Sequence, residues 1–279
     1  MRLDAWPSKA LEAPALGEWL DATGLTSGVL MPCSDQWVES VAQLRSSISD
    51  RFRTWTPGPE VIQVMVDKNR FRAVLEELDL PHPRSFLLTR NVDEWRVPDD
   101  ILNSAFLKPH DSLSFFREFG VKGIFVSSRD EAFEKARLAW DKGLEFLVQE
   151  YIPGPAQNHF FVDGFRSSDG KTTQYLARQR LRMHPPDFGN STSMKTVALE
   201  SVSPALRTLD TLFAHTKFHG IFSAEFKLDQ RSGTLKIIEV NCRPWWFVDY
   251  ADRCGLRTCE AAYLDALGQI VPSQQPYEL

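Results

Sequence analysis

The sequence predicts a mixed α+β fold, and three observations carry that prediction. Residues 158–163 and 172–181 read as two strands around a Ser-Ser-Asp-Gly turn, and residues 221–229 and 235–243 read as a second hairpin around a Gly-containing turn. Amphipathic helical stretches, with apolar residues at i, i+3, i+4 and i+7, lie between the strand candidates. Strands held in hairpins argue for α+β subdomains and against one doubly wound parallel sheet.

Taken in order, residues 28–32 read as a short buried strand, and Ser34-Asp35 caps a helix over 36–46. That is one βα unit, too little for an independent domain. Pro57-Gly58-Pro59 punctuates the chain. Asp67-Lys68 opens a helix whose stripe is Phe71, Val74, Leu75 and Leu78, and Pro81 and Pro83 end it. Short strands follow at 85–88, 105–108 and 124–127. The last runs into Ser128-Arg-Asp-Glu131, a capping box for a helix carrying Phe133, Ala136 and Trp140. A strand at 144–150 breaks at Tyr151-Ile-Pro-Gly-Pro155. Residues 184–193, rich in Pro and Gly, read as a loop. Ser203-Pro204 starts a helix with Leu206, Leu209, Leu212 and Phe213 inward, and the chain closes in a helix over 259–267.

Composition narrows the function classes. A 279-residue chain buries enough core for two or three subdomains. Its net charge of −5, with no Lys/Arg run, carries no nucleic-acid footprint. No apolar run reaches signal-peptide or membrane-spanning length. The four cysteines (Cys33, Cys242, Cys254, Cys259) form no CxxC pair, which argues against structural zinc and for a reduced, cytoplasmic protein.

The most informative stretch is 220–249. If Asp229 and Leu235 close the hairpin, Glu225 lands opposite Glu239, and Asn241 and Arg243 follow on the same face. Directly opposed carboxylates repel. An all-oxygen Glu225/Glu239/Asn241 set suits Mg²⁺, which takes one or two carboxylates together with substrate phosphates. On spacing alone a surface hairpin with solvated glutamates fits equally well.

Lys68, in the first turn of its helix, and Lys108, at the end of an apolar strand, are each readable as solvated. Beside an Mg²⁺ site the two make a polyphosphate cradle. Neither GxxxxGK[ST] nor GxGxxG is present. Gln149 to Gly154 reads as a hinge offering backbone groups to a purine edge, or as a plain strand exit. Arg178, Arg180 and Arg182 share a strand face suited to phosphate or carboxylate, or to a solvated edge. Trp245 and Trp246 wall an acceptor pocket or belong to the core.

In chain order, Asp67-Lys68, Phe106-Leu-Lys-Pro109, Gln149-Glu-Tyr-Ile-Pro-Gly154, Arg178 to Arg182 with Pro185-Pro-Asp-Phe-Gly189, Glu225-Phe-Lys-Leu-Asp229 and Ile238-Glu-Val-Asn-Cys-Arg243 form an ordered set. Over about residues 60–270 it resembles the ATP-grasp superfamily, in particular carboxylate–amine ligase-like proteins related to the carbamoyl-phosphate synthase large chain. The resemblance implies two α+β subdomains clamping ATP. It divides the chain into a shortened N-terminal segment (1–60), an N-terminal subdomain (61–153, with a lid over about 106–150) and a C-terminal subdomain (154–279). Lys68 and Lys108 match the phosphate lysines, and Gln149, Glu150, Tyr151 and Ile152 the adenine hinge. Glu225, Glu239 and Asn241 match the ligands of Mg²⁺, two ions with Mn²⁺ as an alternative.

By the same resemblance Arg243 and Arg180 face the reacting phosphoryl group, and Arg182 and Trp245 are substrate candidates. The implied reaction joins a small-molecule carboxylate to an amine through an acyl phosphate, releasing ADP and phosphate. A nucleotide-binding regulatory subunit and a small-molecule kinase share the same scaffold. The short N-terminal segment leaves room for a homodimer or a partner chain to complete the substrate surface.

Overall fold

The computed structural model describes residues 7, 9–109, 112–171, 173–186, 189–274 and 277, without the side chains of 112–114. Thr172, at the start of an expected strand, and Asp187 and Phe188, within the Pro185–Gly189 run, lie outside the described residues.

The chain begins with α1 (Ala13–Ala22), β1 (Gly28–Leu30), α2 (Asp35–Ile48) and β2 (Phe52–Thr54). The strands pair in parallel, so the expected βα unit is a βαβ unit with a helix before it. Ser34 caps α2 by accepting a hydrogen bond from Trp37 N–H (3.4 Å). Then come α3 (Pro59–Val66) and α4 (Lys68–Glu77). Pro59 ends nothing: it occupies the first turn of α3, where its missing N–H costs no helical bond. The Asp67 carboxylate caps α4, accepting from the N–H groups of Asn69 and Arg70 at 2.9 Å each.

The middle of the chain supplies β3 (Ser85–Leu87), α5 (Asp99–Leu102), β4 (Ala105–Pro109), α6 (Ser112–Phe119), β5 (Ile124–Val126), α7 (Arg129–Trp140) and β6 (Phe146–Glu150). Its four strands form one antiparallel sheet, ordered β3-β6-β4-β5. The remainder is β7 (His159–Arg166), β8 (Thr173–His184), β9 (Asn190–Val197), α8 (Ser203–Thr216), β10 (Gly220–Asp229), β11 (Thr234–Asn241), α9 (Val248–Arg253) and α10 (Thr258–Ala266). A five-stranded antiparallel sheet results, ordered β11-β10-β7-β8-β9. The expected loop over 184–193 is therefore partly strand β9, and β8 is an interior strand flanked on both sides.

Each sheet turns one face to a core and the other to the space between the sheets. In the large sheet Val162, Phe222, Ala224, Phe226 and Ile237 pack with Leu209, Leu212 and Phe213 of α8. Each of the Val, Leu, Ile and Phe side chains is worth roughly 1.5–3 kcal/mol in burial. In the small sheet Ala105, Leu107, Phe146 and Val148 pack with Ala132, Ala136 and Trp140 of α7. Ile62, Met65, Phe71 and Leu75 join the large-sheet core, so α3 and α4 pack with the C-terminal elements and not, as the expected boundary at 61 has it, with the small sheet. Val38, Ala42 and Trp55 enter the same core. The N-terminal segment is thus bonded to the rest as well as to its own cluster of Leu16, Leu20, Leu30, Val41, Ile48 and Phe52. Among the described residues no helix is long and apolar enough to cross a membrane.

The β7–β8 ladder leaves no room above Gly164. A Cβ there would meet the Gln174 carbonyl oxygen at 1.8 Å and the Phe222 ring at 2.9 Å. Gly164→Ala is expected to destabilise the chain by about 2–3 kcal/mol or more, read as a lowered midpoint in urea unfolding. An unchanged midpoint would show that these strands are not so closely apposed.

Candidate active site

A cleft of about 1090 Å³ lies between the two sheets and takes its polar lining from the faces turned away from the cores. Alternation along each strand decides which side chains arrive there. From β10 come Ser223, Glu225 and Lys227, and from β11 Glu239 and Asn241. From β7 come His159 and Phe161, and from β8 Arg178 and Arg180. The small sheet contributes Phe106, Lys108, Leu147 and Gln149, and Lys68 lines the cleft from the first turn of α4.

Glu225 pairs directly with Glu239 in the β10–β11 ladder. The hairpin closes at Asp229 and Thr234, one residue short of the expected Asp229–Leu235 closure. A bulge between Glu225 and Phe226 then restores the pairing, because Phe226 faces Ile237 and Ile238 is the extra residue. Without the bulge Glu225 would face Ile238.

The Glu225 carboxylate accepts a hydrogen bond from His159 Nδ1 (2.6 Å) and forms an ion pair with Arg180 Nη2 (3.2 Å). Burial opposes its charge, but His159, Arg180 and the field of Lys108 outweigh burial and hold its pKa below the ordinary carboxylate value. Lys108 crosses from the small sheet into the field of Glu239 and Glu225. Its burial pushes its pKa down despite both carboxylates. Glu239 accepts from Asn241 Nδ2 (3.3 Å), and Asn241 Oδ1 accepts from Arg243 Nη2 (3.1 Å). Among the described residues no three His, Cys, Asp or Glu side chains converge on one point. Two carboxylates and one amide oxygen remain, a set that fits Mg²⁺ when phosphates complete its shell.

The arginines differ from expectation. Arg180 and Arg178 do line the cleft, both beside the Phe161 ring, with centroids 5.0 and 4.6 Å away. Arg178 is fully paired with the buried Asp163, which also accepts from Ser223 Oγ (2.6 Å). The shared face ends at Arg180: register shifts between Arg180, Arg182 and Met183 turn Arg182 outward, exposed and away from the cleft. Arg243 is bound by Asp35 of α2, Nε to Oδ1 at 2.8 Å and Nη2 to Oδ2 at 3.1 Å. Trp245 is buried in the cleft wall, whereas Trp246 is 91% exposed at its rim, so the pair is neither wholly pocket nor wholly core.

At the end of β6, where the adenine hinge is expected, Gln149 Nε2 donates to Ser85 Oγ (2.8 Å) and Tyr151 N–H to Ser104 O (3.0 Å). The Glu150 carboxylate is committed to ions: Arg231 Nη2 at 2.6 Å and Lys236 Nζ at 3.1 Å, with Arg84 N–H donating at 3.2 Å. Arg231 and Lys236 also hold Asp229, at 2.8 and 3.1 Å. The Glu150 carboxylate and the Tyr151 N–H thus already have partners within the protein, while Ile152 lines the cleft beside them.

Residue-by-residue reading missed Lys227, His159 and Asp35. Lys227, buried and 4.8 Å from the Tyr151 ring, sits two residues after Glu225 on the same face, so alternation alone signals it. His159 and Asp35 reach the site from distant elements and leave no local signal.

No family model matches the chain. It is 22% identical over 227 residues to the D-aspartate ligase of Enterococcus faecium (strain Aus0004), covering 77% of this chain and 53% of that protein. The chain thus spans about half the length of that curated relative. Among solved structures it superposes on the biotin carboxylase–β,γ-ATP complex of Campylobacter jejuni with a TM-score of 0.72, at 17% identity over 96% of this chain and 60% of that one. The L-amino acid ligase of Bacillus licheniformis gives a TM-score of 0.69, at 15% identity over 92% of this chain and 60% of that one. This chain has the ATP-grasp fold. The carboxylate pair, Lys108 and residues 149–152 all open onto the cleft between its two sheets.

Burial disfavours the Glu150 charge, but Arg84 N–H, Lys236 and Arg231 together lower its pKa; Asp229 is lowered chiefly by Arg231. Depressed carboxylates contribute stability that is present above their unfolded pKa, about 4, and lost as pH falls through the folded value. Glu150→Gln is expected to cost about 1–3 kcal/mol near neutral pH, a difference that starts to shrink below about pH 4 and closes once pH has fallen through the lower folded value. Thermal unfolding across that pH range checks it; parallel curves would remove Glu150 from the ion network.

Proposed function

We propose that the chain is an ATP-dependent carboxylate–amine ligase that forms an amide through an acyl phosphate and releases ADP and phosphate. The observation that carries this reading is the opposed Glu225/Glu239 pair facing Lys108 across a cleft with a hinge at its edge. The similarity to a D-aspartate ligase and the fold shared with an L-amino acid ligase support it.

In this reading Lys68 and Lys108 bind the phosphates, and the Ile152 backbone takes the purine edge. Glu225, Glu239 and the Asn241 amide oxygen hold Mg²⁺, which supplies charge neutralisation at the phosphoryl oxygens. Arg243 faces the reacting phosphoryl group, where a preorganised cation counts most. Arg180 is committed to Glu225 and to Ser191 Oγ (2.7 Å), so its part is to balance Glu225 and fix its direction. The substrate carboxylate displaces ADP, and the amine then displaces phosphate; positioning and electrostatics do the rest. The small-molecule partners enter where Trp245, Trp246 and the α2 residues Asp35 and Glu39 line the cleft.

Glu239→Gln is expected to retain the wild-type far-ultraviolet spectrum and to lower ADP release by about a hundredfold. Lys108→Ala is expected to weaken Mg-ATP binding about tenfold by calorimetry. Wild-type ADP release in Glu239→Gln would remove the hairpin from the reaction. A wild-type protein that releases no ADP with any acid and amine supplied would remove the ligase reading.

A further inference from the structure

The three polar residues along and just beyond the end of β11 form a chain: Glu239 accepts from Asn241, and Asn241 accepts from Arg243. The chain ends outside the large sheet, on a carboxylate 208 residues away in sequence. Asp35 takes Arg243 through two donors, Nε at 2.8 Å and Nη2 at 3.1 Å. We infer that Asp35 is a positioning residue for the reaction: it fixes the guanidinium of Arg243 beside the carboxylate pair and keeps it from collapsing onto Glu239.

The geometry favours positioning over a surface ion pair. Asp35 is the first residue of a 14-residue helix capped by Ser34, and Val38 and Ala42 of that helix are buried in the large-sheet core. The backbone that carries its carboxylate is therefore fixed relative to the large sheet. The Arg243 side chain is 21% exposed and the Asp35 side chain 46%, so the contact is shielded from solvent on the arginine's side only, and the positioning role rests on its two-donor geometry. Planar two-donor contact also fixes the orientation of a guanidinium, which a single bond does not. Remove Asp35, and the nearest carboxylate along the same hydrogen-bonded chain is Glu239. An arginine that swings to Glu239 neutralises one of the two charges the site is built on. The N-terminal segment would then be part of the reacting centre, a role that the resemblance assigns to none of its residues.

The inference rests on the nucleotide reading above, so its test separates the two. The probes are ADP and a non-hydrolysable ATP analogue, each with Mg²⁺, titrated calorimetrically into the full chain. In wild type the analogue is expected to bind more tightly than ADP, because Arg243 meets the terminal phosphate. Asp35→Asn is expected to lose about tenfold of that preference while its ADP affinity stays within about twofold. Asp35→Glu, which keeps the charge, is expected to recover part of the preference. Adding Asp35→Asn to Arg243→Ala is expected to change nothing further, since the first residue acts through the second.

A merely structural Asp35 would lower both affinities together, and that result overturns the inference. So does an intact preference in Asp35→Asn, and so does tighter analogue binding there, which would make Asp35 a competitor for the arginine. Wild-type protein that binds neither nucleotide overturns the nucleotide reading and this assignment with it. Should Asp35→Asn fail to fold, Asp35→Ser carries the same comparison, and an intact analogue preference there overturns the inference.

Discussion

Glu225 and Glu239 face each other directly across an antiparallel pair, and the cleft is arranged around that opposition. Side chains so paired sit about 5 Å apart at Cβ, and two unit charges at that distance repel by roughly 3 kcal/mol at an effective dielectric constant of 20. The opposite faces of the same strands bury Phe222, Phe226 and Ile237. At roughly 1.5–3 kcal/mol per side chain this burial outweighs the repulsion. The strands therefore stay paired, and the charge is answered locally. His159 and Arg180 bind Glu225, Asn241 binds Glu239, and Lys108 approaches from the other sheet.

Placing Lys108 there requires the two sheets to hold a fixed relation, and the hinge shows how. Glu150 ends β6 in the small sheet, while Asp229, Arg231 and Lys236 stand at the β10–β11 turn. The four groups form an alternating set of charges at 2.6 to 3.1 Å that ties one sheet's last strand to the other sheet's hairpin. The backbone adds a bond of its own, from Ile237 N–H to Pro81 O at 2.8 Å. At the far side Lys122 Nζ donates to Asn190 Oδ1 (2.7 Å), from the loop before β5 to the start of β9. The same hairpin that carries Glu225 and Glu239 thus also carries the ties to the end of β6.

The sequence made the hairpin legible because alternation is a local signal. Phe222, Ala224 and Phe226 on one face and Ser223, Glu225 and Lys227 on the other need no tertiary knowledge. The expected opposition of the glutamates came through two offsetting differences, a turn one residue tighter and a bulge at Ile238. Neither leaves a mark in composition. β9 was hidden because Pro and Gly at 185, 186 and 189 describe its approach and not the strand that follows. α3 was hidden because Pro59, at a helix start, is indistinguishable from a breaker until the helix is seen. Arg182 left its face through a register shift. The placement of α4 against the large sheet, and of Asp35 against Arg243, are contacts between distant segments that periodicity does not encode.

Those distant contacts give the site its electrostatic character. Arg178 is paired with Asp163, Arg180 with Glu225 and Arg243 with Asp35, so each arginine reaches the cleft with a carboxylate already in place. Such a site attracts an anion less strongly at long range than three unpaired arginines would, because the paired charges largely cancel beyond a few ångströms. What it gains is direction. Arginines held by planar contacts need little rearrangement when charge develops nearby, and a dipole already aligned stabilises that charge without the cost of turning into place. In the proposed reading the attraction for the polyphosphate would fall instead to lysines such as Lys108, whose burial disfavours its charge. On that reading capture by lysine and alignment by arginine would be separate tasks, and the carboxylates that pair the arginines would separate them.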